Sequence, residues 1–530
     1  MTFALVTGIV AGLSNAGLLA LINTTLSHST ATGMERVPSF IGLCLLLMVA
    51  RVASEASLVS LSQSTVFNLN MQLSRRILSA PLRRLEELGP HKLLTVFTDD
   101  VIAIANACIG MPLLFMHTVV VVGCLAYLAW LSWAVFLGVA AFIAFGMTTY
   151  QVATTKAVSH LRSARNDQNA LFKHFRAMTE GTKELKLHHN RREAFLGTVL
   201  RLSAESVKRH VIAGNSIWAV ATGWGQLLIF CLIGAIIFGL PSMSPTEQQT
   251  LTGYTIIILY MMTPIETILQ LVRSISRAKI GLQIIEETGL SLAKSSEYDG
   301  STPPPALRTW RSLELVSVTH TYYREQENSA FTLGPLDLSF RPGELVFLIG
   351  GNGSGKTTLA KLLTGLYAPE SGEVRLDGKA ITDNDRDYYR QYFSVVFSDF
   401  FLFESLLGID TAGLDDKARS YLGQLQLDHK VCVNGGVLST TDLSQGQRKR
   451  LALLTAYLED RPIYIFDEWA ADQDPLFKEI FYLQVLPELK ARGKTLIVIS
   501  HDDRYYHIAD RIIKLDYGKL ENDREAANPT

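Results

Sequence analysis

The strongest constraint on the fold is a glycine-rich loop standing behind a long, strongly apolar half. The loop is Gly350-Gly351-Asn352-Gly353-Ser354-Gly355-Lys356-Thr357-Thr358. It fits G-x-x-x-x-G-K-[ST], the pattern of a phosphate-binding loop. Its flanks suit that role. Glu344 to Ile349 reads as a buried strand, and Leu359 to Leu363 reads as a helix. Glycines at these positions let backbone N–H groups wrap the β- and γ-phosphates of a nucleotide. Lys356 supplies a point charge, and the Thr357 hydroxyl is a ligand for Mg²⁺. Joined to apolar runs of membrane length, the loop implies that nucleotide hydrolysis is coupled to an event in a bilayer.

The chain has 530 residues, too many for one compact domain. Hydrophobic residues make up 48% of it and the mean hydropathy is +0.20, high for a soluble protein. The net charge of −1 gives no nucleic-acid footprint, and no such partner is expected. The five cysteines form no C-x-x-C pair. Cys44, Cys108, Cys124 and Cys231 lie in or beside apolar runs and Cys432 lies alone. They read as small buried hydrophobes, not as a disulfide framework or a zinc site.

Runs of about 20 apolar residues, enough to cross a bilayer, occur near 3–26, 39–65, 215–240 and 250–272. The run 112–150 is too long for one crossing. Two crossings with a tight turn near Leu131-Ser132-Trp133 fit it, giving six spans. The chain opens almost directly in the first run, without a basic n-region or a small-residue cleavage site, so that run is expected to be retained.

Lys and Arg set the orientation. Segment 66–110 carries Arg75, Arg76, Arg83, Arg84 and Lys92, and segment 151–213 is richer still. The connections near 27–38, 132 and 241–249 hold only Arg36. Both basic segments and both termini are therefore expected in the cytoplasm. The basic segments continue the helical periodicity, so the spans should project beyond the bilayer. Within the spans, Arg51 and Glu55 are four apart, and Glu266 follows Pro264. Each reads either as polar lining for cargo or, for Arg51 and Glu55, as an internal ion pair.

Composition shifts after Leu290, and Pro303-Pro304-Pro305 cannot continue a helix. The expected layout is a membrane domain over 1–290, a linker over 291–309 and an α/β domain over 310–524. In the last, Ile463 to Glu468 is a buried strand ending in two acids. Asp467 is placed to hold Mg²⁺ through water, and Glu468 to orient and deprotonate an attacking water. Leu496 to Ile499 is another buried strand, with His501 just past its end. Leu443-Ser444-Gln445-Gly446-Gln447 places Ser444 and helix N-terminal amides toward a phosphate.

These motifs, in this order after six spans with long cytoplasmic extensions, resemble the exporter-type ABC half-transporters. The resemblance implies an all-α six-helix transmembrane domain followed by an α/β P-loop ABC nucleotide-binding domain. Leu78 to Leu82 through Phe97 to Val101, and Gly181 to Lys186 through Glu193, look like the family's two coupling-helix regions. The resemblance also implies that His501 contacts the γ-phosphate and that Tyr322, or its neighbour Tyr323, stacks on adenine. Leu443 to Gln447 looks like the ABC signature, which in the family faces ATP held by the other subunit. ATP, Mg²⁺ and a homodimer in the bacterial inner membrane follow as expectations.

Three departures narrow the resemblance. Gln445 stands where Gly is usual. Ser398 replaces the usual glutamine before Asp399, as a ligand of Mg²⁺ or as a neutral loop residue. Ala471-Asp472-Gln473-Asp474 replaces Ser-Ala-Leu-Asp. Together they resemble the cyclic-peptide and siderophore exporter family, which implies export of a peptide siderophore precursor or a related nonribosomal peptide. The alternatives are a lipid or multidrug flippase and a membrane-tethered regulatory ATPase.

Overall fold

The computed structural model describes residues 2–27, 37–239, 248–287, 307–324, 329–409 and 413–525. Most of the predicted linker, and the connections predicted near 27–38 and 241–249, lie outside the described residues. The chain separates into two units, Met1–Leu78 with Leu85–Lys294, and Ser79–Arg84 with Ser295–Thr530. The short segment Ser79–Arg84, counted from sequence with the membrane half, thus groups with the second unit.

Among the described residues the first unit is built on six long helices. They are α1 (Thr2–Ser27), α2 (Val37–Ser79), α3 (Val101–Leu131), α4 (Trp133–Glu180), α5 (Arg201–Gly234) and α6 (Gln248–Glu287). Helices α2 to α6 belong to five segments long and apolar enough to cross a membrane. The 26 residues of α1 extend about 39 Å, more than the hydrocarbon core of about 30 Å. The run 112–150 does break in two. Ser132 turns extended, and its hydroxyl accepts a hydrogen bond from Val135 N at 3.5 Å to start α4. Trp130 and Trp133 flank this turn, both exposed, as interfacial aromatics do.

The 43 residues of α2 and 48 of α4 reach about 65 and 72 Å, so both continue far beyond a bilayer. Short helices, Leu82–Leu88 and Pro90–Thr95, then Thr182–Leu187 and His189–Ala194, lie where the coupling regions were expected. Large apolar side chains such as Met48, Val122, Val220 and Phe238 are exposed along the helices, a surface suited to hydrocarbon. Arg51 and Glu55 form an ion pair at 3.0 Å with both side chains more than half exposed. Gln226 Nε2 donates to Glu266 Oε1 at 2.7 Å.

The second unit holds a four-stranded antiparallel sheet, β2-β1-β4-β5, and a six-stranded sheet, β12-β11-β3-β10-β9-β6. The first comprises β1 (Leu313–Arg324), β2 (Ser329–Phe340), β4 (Ser371–Leu376) and β5 (Lys379–Ala380). The second comprises β3 (Leu345–Gly350), β6 (Phe393–Val396), β9 (Ile463–Asp467), β10 (Thr495–Ile499), β11 (Arg511–Asp516) and β12 (Lys519–Glu525). A two-stranded ribbon pairs β7 (Val433–Asn434) with β8 (Val437–Leu438). In the large sheet only β12 runs antiparallel to its neighbour.

Parallel strands are covered on both faces, so their apolar residues serve two cores with a period of two. Leu345, Phe347, Tyr464, Phe466, Leu496 and Val498 enter one core. Val346, Leu348, Ile463, Ile465, Ile497 and Ile499 enter the other. The second core also takes Leu359, Leu362 and Leu363 of helix α7 (Lys356–Leu363). The first takes Leu451, Leu453 and Leu454 of helix α8 (Gln445–Glu459).

Candidate nucleotide site

The carboxyl ends of β3, β6, β9 and β10 lie side by side, and the predicted chemistry gathers there. Ile499 is level with both Asp467 and Leu348, and Val396 with Phe466. Open α/β sheets bind ligands at this edge.

Phosphate-loop geometry depends on backbone that only glycine adopts without strain. Gly353 and Gly355 have φ of 77° and 100°, and Gly355 caps α7. A side chain on Gly350 would meet Leu515 O at 2.2 Å. Lys356 is buried, and its Nζ donates to Gly350 O and Gly351 O at 2.9 and 3.0 Å. Burial pushes its pKa down, and the carboxylates of Glu468 and Asp467 oppose that shift. A cavity of about 530 Å³ is lined by Asn352 to Thr358 with Tyr322, Phe331 and Glu468. Phe331 pairs with Tyr322 across β1 and β2, so the cavity has an aromatic wall. Behind Tyr322, the His320 ring is buried, stacked on Tyr367 with centroids 5.0 Å apart. The Tyr323 side chain lies outside those described.

Three oxygens converge at the end of β9. Thr357 Oγ1 and Ser398 Oγ donate to Asp467 Oδ2 at 3.0 and 3.3 Å. Asp467 is 1% exposed, and its Oδ1 has no hydrogen-bond partner among the described residues. Burial raises its pKa, opposed by the Thr357 hydroxyl. A buried carboxylate with one orphaned oxygen beside two hydroxyls is a hard-oxygen set that fits Mg²⁺.

Glu468 takes a left-handed backbone, φ 50°, and its N–H donates to Ile499 O at 3.1 Å. Its Oε1 lies 3.2 Å from His501 Nε2. The two also line a second cavity, of about 340 Å³.

The signature segment stands apart from this cluster. Ser444 begins α8, its N–H donating to Gln447 Oε1 at 3.3 Å. Ser444 and Gln445 are exposed, and none of Ser444 to Gln447 lines the phosphate-loop cavity. The departure at Gln445 has room because that position faces outward. Gly446 does not: a Cβ there would meet Asp472 O at 2.9 Å.

Sequence reasoning missed what holds this segment. Lys449, 2% exposed, donates from Nζ to Glu468 O at 2.9 Å and pairs with Asp472 at 2.7 Å. Arg450 pairs with Asp474 and donates to Gln473 Oε1, and Gln473 Nε2 donates to Gly446 O at 3.0 Å. The unusual segment Ala471 to Asp474 is thus clamped onto α8. Two bases facing two acids, at 449 and 450 and at 472 and 474, were the available signal. Phe331 was missed as well, because its partnership with Tyr322 is a matter of strand register.

Residues 333–471 match the ABC transporter family model. The chain is 36% identical to the ATP-binding protein SyrD of Pseudomonas syringae pv. syringae, covering 99% of this chain and 94% of SyrD. It is 26% identical to an ATP-dependent lipid A-core flippase of Thiobacillus denitrificans, covering 91% of this chain and 84% of that one. A bacterial Atm1-family ABC exporter solved with ATP bound shares the fold, with a TM-score of 0.79 at 16% identity, over 99% of this chain and 94% of that one.

Proposed function

The chain belongs to the ABC exporter half-transporters, and from that premise we propose a homodimeric, ATP-driven peptide exporter. Its cargo is a peptide siderophore precursor or a related cyclic or nonribosomal peptide, moved from cytoplasm to periplasm by alternating access. Both termini face the cytoplasm, as the Lys and Arg distribution favours. The observation that carries the cargo reading is the trio of departures at Ser398, Gln445 and Ala471 to Asp474.

The site residues take these roles. Backbone amides of Gly350 to Thr358 and the Lys356 ammonium hold the β- and γ-phosphates. Tyr322, walled by Phe331, takes the adenine face. Thr357, Asp467 and Ser398 hold Mg²⁺, which when bound neutralises phosphate charge. Glu468 orients the attacking water and accepts its proton, and His501 contacts the γ-phosphate. Ser444 to Gln447, turned away from their own cavity, serve ATP held by the partner copy.

The test is ATP-dependent uptake of an acylated peptide into inverted membrane vesicles, with ATPase stimulation read in parallel. Peptide uptake supports the reading. Stimulation by lipid A-type lipid alone supports a flippase, the second reading, which the similarity to lipid A-core flippases favours. Transport of neither leaves a regulatory ATPase.

A further inference from the structure

In the first unit, α3, α4, α5, α6 and the turn before α3 line an open cavity of about 670 Å³. Its charged groups fall into two sets. Arg165 bridges Asp99 at 2.6 Å and Asp100 at 2.9 Å, and its side chain is 12% exposed. Gly281 packs against Asp100, where an added Cβ would sit 3.3 Å from the Asp100 Cβ. This set is consumed in tying the helices together.

The second set is Arg273 and Arg277, one turn apart on α6. Both guanidinium groups lie over the same ring, that of Trp218, at 4.9 and 5.8 Å from its centroid. Trp218 is 2% exposed, while Arg273 is half-buried and Arg277 exposed, and both arginines line the cavity. Among the described residues neither has a carboxylate within ion-pair distance. Like charges one turn apart on a helix repel. An anionic ligand relieves that repulsion. Asn106, Gln168, Gln270 and Ser274 complete the wall with uncharged hydrogen-bonding groups, suited to peptide amides.

We propose that Arg273 and Arg277 form an anion-recognition site for cargo, and that the exported peptide carries a carboxylate or equivalent acidic group that docks between them. The proposal rests on the peptide-export reading above and deepens it, because Arg reads carboxylates through paired, charge-assisted hydrogen bonds.

The experiment uses the full chain in nanodiscs and in vesicles, with two probes: a myristoylated peptide of neutral residues with a free C-terminal carboxylate, and its C-terminal amide. In wild type the carboxylate form should give half-maximal ATPase stimulation at a concentration lower by about tenfold or more. In Arg273→Gln/Arg277→Gln that ratio should collapse toward one, and Arg273→Lys/Arg277→Lys should retain part of it. Equal potency of the two probes in wild type overturns the site while leaving peptide export standing, and needs no variant to fold. A preference for carboxylate that survives in the Gln variant also overturns it. Arginine-dependent stimulation by phosphatidylglycerol, with neither peptide discriminated, assigns the pair to lipid phosphate and overturns it. Transport of neither peptide removes the export reading, and the site with it.

Discussion

In the second unit, the phosphate-loop edge and the segment Leu443 to Gln447 are built on opposite plans. On the phosphate-loop edge, glycine backbone, a buried lysine and a buried aspartate close around a cavity that one chain lines by itself. On the signature edge, Ser444 and Gln445 are exposed, and the buried groups are the clamps beneath them, Lys449 and Gln473. One edge is organised around what it holds, the other around how it is held. Lys449 joins the two segments by donating from Nζ to the Glu468 carbonyl at 2.9 Å.

The sharpest way to break this contrast is at Glu468. Glu468→Gln keeps the shape and removes the base, so turnover should fall by about 10²–10⁴ with ATP binding preserved. The ATP-bound dimer should then accumulate on size-exclusion chromatography. Turnover within a few-fold of wild type would show that the phosphate-loop edge does not supply the base.

Next in size is the signature edge itself. Ser444→Arg places a bulky cation where a partner's phosphate should approach. Mixed dimers of wild-type and Ser444→Arg chains, purified through two different tags, should hydrolyse ATP well below the wild-type rate. Undiminished activity would mean that Ser444 serves no partner site.

A smaller effect is expected at the junction. Lys449→Met leaves Asp472 and the Glu468 carbonyl without their buried donor, and such losses cost about 1–3 kcal/mol. We expect kcat to fall by roughly tenfold while the ATP concentration for half-maximal rate moves little. Adding Asp472→Ala should cost almost nothing further, since the partners act as a pair. Additive losses in the double variant would separate them.

The phosphate-loop edge was legible in sequence because backbone chemistry leaves no freedom in residue type. Gly355 at φ 100° and Gly350 against Leu515 O tolerate only glycine. The clamp was not legible, because Lys449 and Asp472 meet only after α8 packs beside β9. In the membrane unit, the break at Ser132 followed from bilayer thickness. The Arg273–Arg277 pair is not legible in sequence because hydropathy ends the last span at 272, whereas α6 runs to Glu287. Hydropathy finds where a helix leaves hydrocarbon, not where it stops. Arg51, Glu55 and Glu266 stand inside the apolar runs, and all three have partners along or between helices.

The smallest expected effect is at Ser398, proposed above as a ligand of Mg²⁺. Serine is shorter than glutamine by about two bonds, yet Ser398 Oγ reaches within 3.3 Å of Asp467 Oδ2 because β6 lies next to β9 in the sheet. If that hydroxyl completes the hard-oxygen set, Ser398→Ala removes one of several ligands, and water replaces part of what is lost. The Mg²⁺ needed for half-maximal ATPase activity should then rise by a few-fold, with kcat at saturating Mg²⁺ close to wild type. Asp399→Ala is the control, since that neighbour is exposed and offers Mg²⁺ a second route, through water. A Mg²⁺ titration unchanged by Ser398→Ala but shifted by Asp399→Ala would move the contact to the next residue. The metal would then be held from the phosphate-loop edge by Thr357 and Asp467 without Ser398.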